Sequence, residues 1–250
     1  RGPAGAHHGA VGQGHLEAGL EACRRVLRRG ATPAVLRLYD HQEAQRGFGL
    51  DTAVLVVLDE GDEAIVTAMA AVVDEECRAA GAEALDEALV GRWLEHRNDV
   101  SILGKAIETG LVVDTCEVAA RWSALPGLYR AAVAALREVP GAWVGSAHQS
   151  HAYTDGACLY FTFAGQPPEP GGGDAFYAAA WQAVMDATLA AGGAVSHHHG
   201  IGLNRARFLA ASMGPAFGVL ASVKAALDPQ GILNPGKLGL PSPFGPALPW

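Results

Sequence analysis

The stretch SHHHGIGLNR, residues 196–205, sets three consecutive histidines ahead of two glycines and an arginine. Imidazoles exchange protons near neutral pH and ligate metals, so both chemistries come into question here. Spacing speaks against zinc. In an extended chain successive side chains alternate, which puts His197 and His199 on one face and His198 on the other. Two ligands on one face need a third, and the sequence has neither an H-E-x-x-H helix nor a nearby cysteine pair to supply it. No metal is expected. A lone histidine is most often a satisfied core residue. Here, however, Gly200 and Gly202 let a ligand approach the backbone closely, and Asn204, Arg205 and Arg207 open a helix whose first amides suit an anion or an electron-rich ring edge. The pattern points to a cofactor contact.

A second stretch able to carry chemistry is ACLYFTFAG, residues 157–165. As a strand it sends Leu159, Phe161 and Phe163 to one side and Tyr160 and Thr162 to the other, so Tyr160 and Thr162 could line a site behind an apolar core face.

The elements that must position these residues follow from periodicity and turn chemistry. Leu16, Leu20, Cys23 and Leu27 share a helical face that Gly30 is placed to end. TPAVLRLYD, TAVLVVLDEG and GLVVDTCEVA read as strands. Ile65, Met69, Val72, Val73 and Cys77 follow a helical period, as do Leu89, Val90, Trp93 and Leu94. LPGLYRAAVAALREVP is a helix halted before Pro140. QPPEPGGGD is a loop in which Asp174 is expected to cap the helix FYAAAWQAVMDATLAAGG. RARFLAASM and PAFGVLASVKAAL follow as short helices. There is no glycine-rich phosphate fingerprint and no visible internal repeat. The expected class is α+β, an antiparallel or mixed sheet with helices packed over one face.

The chain has 250 residues, half of them hydrophobic, with 18% charged and a formal net charge of −8. That is enough to bury a sizeable core. The acidic balance argues against nucleic acid or an anionic membrane surface as partner. No apolar run reaches transmembrane length. Cys23, Cys77, Cys116 and Cys158 are scattered without paired spacing, which favours reduced, buried thiols and a cytoplasmic setting. Residues 1–14, RGPAGAHHGAVGQG, read as a linker.

Taken together, TPAVLRLYD, WLEHRNDV, VVDTCEVAARWSAL, SHAYTDGACLYFTF, GGAVSHHHGIGLNRARFL and SVKAALDPQGILNPGKLG resemble the C-terminal half of FAD-linked oxidases of the vanillyl-alcohol oxidase type. The likeness runs nearest to the branch of the alkylglycerone-phosphate (alkyl-dihydroxyacetonephosphate) synthases. It implies a cap domain with ferredoxin-like elements over residues 15–239 and an irregular tail at 240–250. It also implies an FAD-binding domain that would precede this chain, so that the fragment alone is inactive. FAD is the implied cofactor. Tyr160, His197, His198 and His199 match the family's catalytic positions, where a phenol and an imidazole can relay a proton. Arg37 and Arg97 become clamps for a phosphate or carboxylate, which a guanidinium fork fits bidentately. Gly200, Asn204, Arg205 and Asn234 become cofactor contacts. One departure stands out: the synthases carry an arginine where SILGKAIET offers only Lys105, a cation that cannot copy bidentate recognition.

The implied reaction is ether-lipid precursor formation from an acyl-dihydroxyacetonephosphate and a fatty alcohol. The alternatives are a D-2-hydroxy-acid dehydrogenase of the lactate or glycolate type, or a non-catalytic binding domain that keeps the cap fold. The implied partners are FAD and a small phosphorylated ketone ester or 2-hydroxy acid. Peripheral membrane contact through a lipid substrate, and a homodimer, also follow from the resemblance.

Overall fold

The computed structural model describes residues 5–13, 15–99 and 101–245. Its first unit runs β1 (Gly5–Gln13), α1 (Leu16–Arg28), β2 (Val35–Tyr39), α2 (His41–Phe48), β3 (Ala53–Gly61) and α3 (Glu63–Ala79). The short β4 (Glu83–Ala84), α4 (Ala88–His96) and α5 (Ser101–Glu108) lead to a second unit. That unit comprises β5 (Val112–Arg121), α6 (Leu125–Arg137), β6 (Ala142–Ala152), β7 (Gly156–Gly165) and α7 (Gly173–Ala190). Helices α8 (Ala206–Met213) and α9 (Ala216–Leu227) close the chain, followed by a 3-10 turn at Lys237–Gly239.

The strands form one sheet in the order β4-β1-β3-β2-β6-β7-β5, and every pairing is antiparallel. The α+β expectation holds, with the antiparallel alternative realised. In each unit the third strand lies between the first and second, a split β-α-β arrangement that occurs twice. The two copies join where their second strands meet, Leu38 opposite Gln149 and Tyr39 opposite His148. The repeat is invisible in sequence because only its topology recurs.

Helices α1, α3, α6 and α7 cover one face of the sheet. Leu20, Leu38, Leu55, Leu128, Leu136, Leu159, Phe161, Phe163 and Met185 are fully buried in this layer. Burying Phe161 and Phe163 stabilises the fold by about 1.5–3 kcal/mol each. A one-residue slip of β7 would put Tyr160 and Thr162 in their place, so the core fixes the register. The opposite face is covered only in part. There α2 and α4 pack Ala44, Val90 and Trp93 onto Val54 and Val56. Both faces of β3 are thus covered, which is why Ala53–Val57 is apolar at every position.

Several expectations are corrected. Gly5–Gln13, read as linker, is strand β1; it pairs with β3 from Gly5–Gly61 to Gln13–Ala53. Its small residues give no periodic signal, and the strand is defined by its pairing with β3 and β4. Of the tail read at 240–250, residues 240–245 carry no helix or strand, and 246–250 lie outside the described residues. Asp174 does not cap α7: the N-cap is Gly172, and Asp174 sits in the first turn, where its charge favours the helix dipole. Ile65 is 59% exposed, because α3 buries Val66, Val73 and Cys77 instead. Helices α2 and α5 and strands β4 and β6 are additions to the sequence reading.

Candidate active site

The sheet's uncovered half, β6-β7-β5, carries polar side chains where the helical face carries phenylalanines. Register sets Tyr39, His148, Tyr160 and Glu117 opposite one another in a row across four strands. The rings of His148 and Tyr160 stack 4.9 Å apart, 14° from parallel.

After α7 the chain makes one antiparallel bridge, Ala194 to Ala119, and then leaves the sheet in a series of bends. The histidines are therefore not on a strand, and the alternation used against a shared site does not apply. Buried Glu117 anchors the bend. Its carboxylate accepts the His197 backbone N–H at 2.9 and 3.1 Å and the Ser196 hydroxyl at 3.2 Å. Arg205 braces the far side, donating to the carbonyls of Gly200 and Glu117. Folded back this way, His198 brings Nε2 to 2.5 Å from the Tyr160 hydroxyl, and its Nδ1 to 2.8 Å from Nδ1 of His197. His199 meets the Tyr160 ring edge-on at 5.1 Å.

Burial, reinforced by Cys158 and Glu117, pushes the Tyr160 phenol up to about 12, so it keeps its proton through the neutral range. Burial also lowers His151 and His199 below the ordinary imidazole value, and neighbouring histidine charges add to this. His151 joins the group through a bulge in β6: the register shifts between Gln149 and Ala152, turning its Nδ1 to 3.5 Å from the Cys158 sulfur.

A second network supports Tyr160 from below. His148 places Nδ1 2.7 Å from a Glu43 oxygen and Nε2 2.6 Å from Arg37 Nη2. A guanidinium only donates, so Nε2 is the acceptor and Nδ1 carries the proton that bonds Glu43. Glu43 also accepts from the Thr162 hydroxyl at 2.6 Å. Burial pushes the Glu43 carboxyl up, but the hydrogen bonds it accepts from His148 and Thr162, with the Arg46 guanidinium beside it, outweigh that and hold it below the ordinary range.

The fold thus brings together Tyr160, His197, His198, His199 and, through His148, Arg37. Arg97 is elsewhere on this side: it lies over Trp93 at 5.3 Å and lines a cavity of about 360 Å³ with Tyr39, Glu43 and Trp93. Lys105 is exposed on α5, and Asn234 is exposed beyond α9 with a φ of 45°. Gly200 has a φ of +76°, with open space where a Cβ would stand. Asn204 and Arg205 bond inward instead: Asn204 donates to Tyr177, and Arg205 is buried against the Trp181 ring. Both serve as braces for the histidine bend. Sequence reasoning missed Glu117, Glu43, His148, His151 and Cys158. The only signal for Glu117 was a carboxylate inside the apolar strand VVDTCEVA.

The ligand atoms of Glu117, Cys158, His197 and His198 all lie within 4.8 Å of one another. A flat cofactor ring would be met by the contiguous rings of Tyr153, His197, His198, Tyr160 and His199 and by the open backbone at Gly200. These are groups of the kind that contact a flavin edge.

This sheet, with its histidine bend and aromatic row, defines a C-terminal domain of a flavin oxidase. The chain belongs to the family of FAD-linked oxidase C-terminal domains, which matches residues 6–238. It is 26% identical over 240 residues to the uncharacterized FAD-linked oxidoreductase YgcU of Escherichia coli O157:H7, covering 89% of this chain and 49% of that protein. It is 30% identical over 256 residues to the alkyldihydroxyacetonephosphate synthase of Dictyostelium discoideum, covering 88% of this chain and 41% of the synthase. A solved alkyldihydroxyacetonephosphate synthase superposes with a TM-score of 0.72 at 22% identity, over 94% of this chain and 46% of that one. The chain therefore spans half or less of the length of these relatives.

Proposed function

We propose that this chain is the substrate-facing domain of an FAD-dependent enzyme that makes the ether-lipid precursor from an acyl-dihydroxyacetonephosphate and a fatty alcohol. The observation that carries the reading is the 2.5 Å contact between the Tyr160 hydroxyl and His198 Nε2 on the open face of the sheet. Kinship with alkyldihydroxyacetonephosphate synthases at 28–30% identity supports the substrate class. Bound FAD supplies an electron-accepting ring.

This chain's own part is proton handling and orientation. Tyr160 holds a proton that His198 shares, so the pair can take a proton from a substrate carbon and return it; such general acid–base help is worth about 10²–10⁴-fold. Arg37 has one terminal nitrogen committed to His148, and its buried Nε has no hydrogen-bond partner among the described residues. The Arg37 charge is felt at the Tyr160 phenol, and a guanidinium beside the site suits a phosphate oxygen. The four free cysteines support a cytoplasmic setting.

The test is anaerobic mixing of the whole flavoprotein with an acyl-dihydroxyacetonephosphate and, separately, with D-2-hydroxy acids, while flavin absorbance is followed. Alkyl exchange with the flavin oxidised before and after turnover is expected. Persistent bleaching by a hydroxy acid, without exchange on the phosphate ester, overturns the reading in favour of a dehydrogenase.

A further inference from the structure

We propose that Glu117, Cys158, His197 and His198 form a binding site for a zinc-class divalent metal ion. The site goes beyond the proposed reaction and needs no flavin. Strand β5 supplies Glu117, β7 supplies Cys158 and the histidine bend supplies the other two, with all four ligand atoms within 4.8 Å of one another.

The arrangement of lone pairs calls for a cation. Nδ1 of His197 and Nδ1 of His198 face each other at 2.8 Å, and one Glu117 oxygen lies 3.9 and 3.5 Å from them. Three basic atoms converging on one point are held together by shared protons or by a metal. A tetrahedral zinc ion, with bonds of about 2.0–2.3 Å, sets ligand atoms roughly 3.3–3.7 Å apart. The histidine pair has to open by about half an ångström to reach that spacing. The donor set of one carboxylate, one thiolate and two neutral imidazoles suits zinc by softness, and its two negative charges balance the ion.

An outer shell is already in place. Tyr160 meets the other nitrogen of His198, Ser196 donates to Glu117, and His151 Nδ1 lies 3.5 Å from the Cys158 sulfur. Because the protein fills four positions, the site is closed and its role is structural. Binding releases the Cys158 thiol proton to solvent as the metal–sulfur bond forms. It also places the remaining proton of His198 on Nε2, pointing at the Tyr160 oxygen, so in the metal-loaded chain the Tyr160 O–H turns outward to the cleft and alone exchanges the substrate proton, with His198 supporting it as a hydrogen-bond donor. The ion would thus pin the histidine bend to the sheet and set the direction of the Tyr160–His198 hydrogen bond.

The experiment is titration of the chelator-stripped 250-residue chain with Co²⁺. Saturation at one ion per chain is expected, with visible ligand-field bands and a near-ultraviolet thiolate-to-cobalt band, all displaced by Zn²⁺. Cys158→Ala should abolish the near-ultraviolet band. Glu117→Gln should weaken uptake by more than the about 10–100-fold that loss of an outer-shell partner costs. Zn²⁺ should raise the thermal midpoint of the parent chain and leave that of a folded His197→Ala/His198→Ala chain unchanged. No Co²⁺ uptake by a chain whose circular dichroism shows it folded overturns the proposal. So does a near-ultraviolet band that survives Cys158→Ala, or equal uptake by the double histidine variant. None of these outcomes depends on the ether-lipid reading.

Discussion

The ring of Tyr160 rests on the imidazole of His148, 4.9 Å away and nearly parallel. Because His148 is held at both nitrogens, by Glu43 and by Arg37, the phenol above it has a fixed platform and its hydroxyl has a fixed direction. Helix α2, which supplies Glu43, therefore acts on the site without touching the histidine triplet. Asp40 caps this helix, accepting from the Glu43 backbone N–H, and also accepts from the Ala147 N–H of β6. One buried carboxylate thus ties α2 to the strand that bears His148.

Removing the phenol oxygen should separate chemistry from folding. In the whole flavoprotein, Tyr160→Phe and His198→Ala should each lower turnover by about 10²–10⁴-fold. The Tyr160→Phe ring keeps its stack on His148, so the thermal midpoint should move little. Steady-state rates and a melting curve on the same preparation check both statements.

Glu43→Gln should cost stability in a pH-dependent way. The folded-state pKa of Glu43 lies below its ordinary value. Its contribution is therefore fully present above about pH 4.5 and is lost as pH falls through the lowered value. Denaturant titration should find the variant about 1–3 kcal/mol less stable at pH 7, because His148 loses a charged acceptor. The gap should shrink as pH falls below about 4.5 and the wild-type carboxylate takes up its proton.

Gly165→Ala tests the packing behind the site. A Cβ there would stand 2.3 Å from the Gly141 carbonyl oxygen and 2.6 Å from the Phe176 ring. Backbone cannot give way as a flexible side chain can, so a loss of at least about 1–3 kcal/mol is expected. A variant with unchanged unfolding free energy would show that β7 and α7 are less tightly apposed.

The cysteines should differ sharply in reactivity between native and unfolded protein. All four are free and buried. Burial raises every thiol above its ordinary value, Cys77 and Cys158 to about 11. Thiol titration should count four in denatured, unreduced protein and react slowly before denaturant is added.

Much of the helical face was legible in the sequence, since amphipathic periodicity is a local property. Leu16, Leu20, Cys23 and Leu27 are all buried, and Gly30 ends their helix with a φ of +90°. The alternation of CLYFTF sent Phe161 and Phe163 inward and left Tyr160 on the other face. Strand β1 was not legible: GAHHGAVGQ has no apolar alternation, and its nine residues are strand because β3 offers them a hydrogen-bonding edge.

The sequence by itself determined which side of β7 carries the phenol and where three imidazoles and two glycines stand together. Side-chain period and glycine's backbone freedom are properties of a few adjacent residues. Only the tertiary structure decided that Glu117, 80 residues from His197, lies beneath the triplet, and that His148, 105 residues from Glu43, props up Tyr160. Those meetings depend on the register of β5, β6 and β7 and on the Ala119–Ala194 bridge. Register is set by burying Leu159, Phe161 and Phe163 together on the far face. The core that places the site is thus made of residues that never touch it.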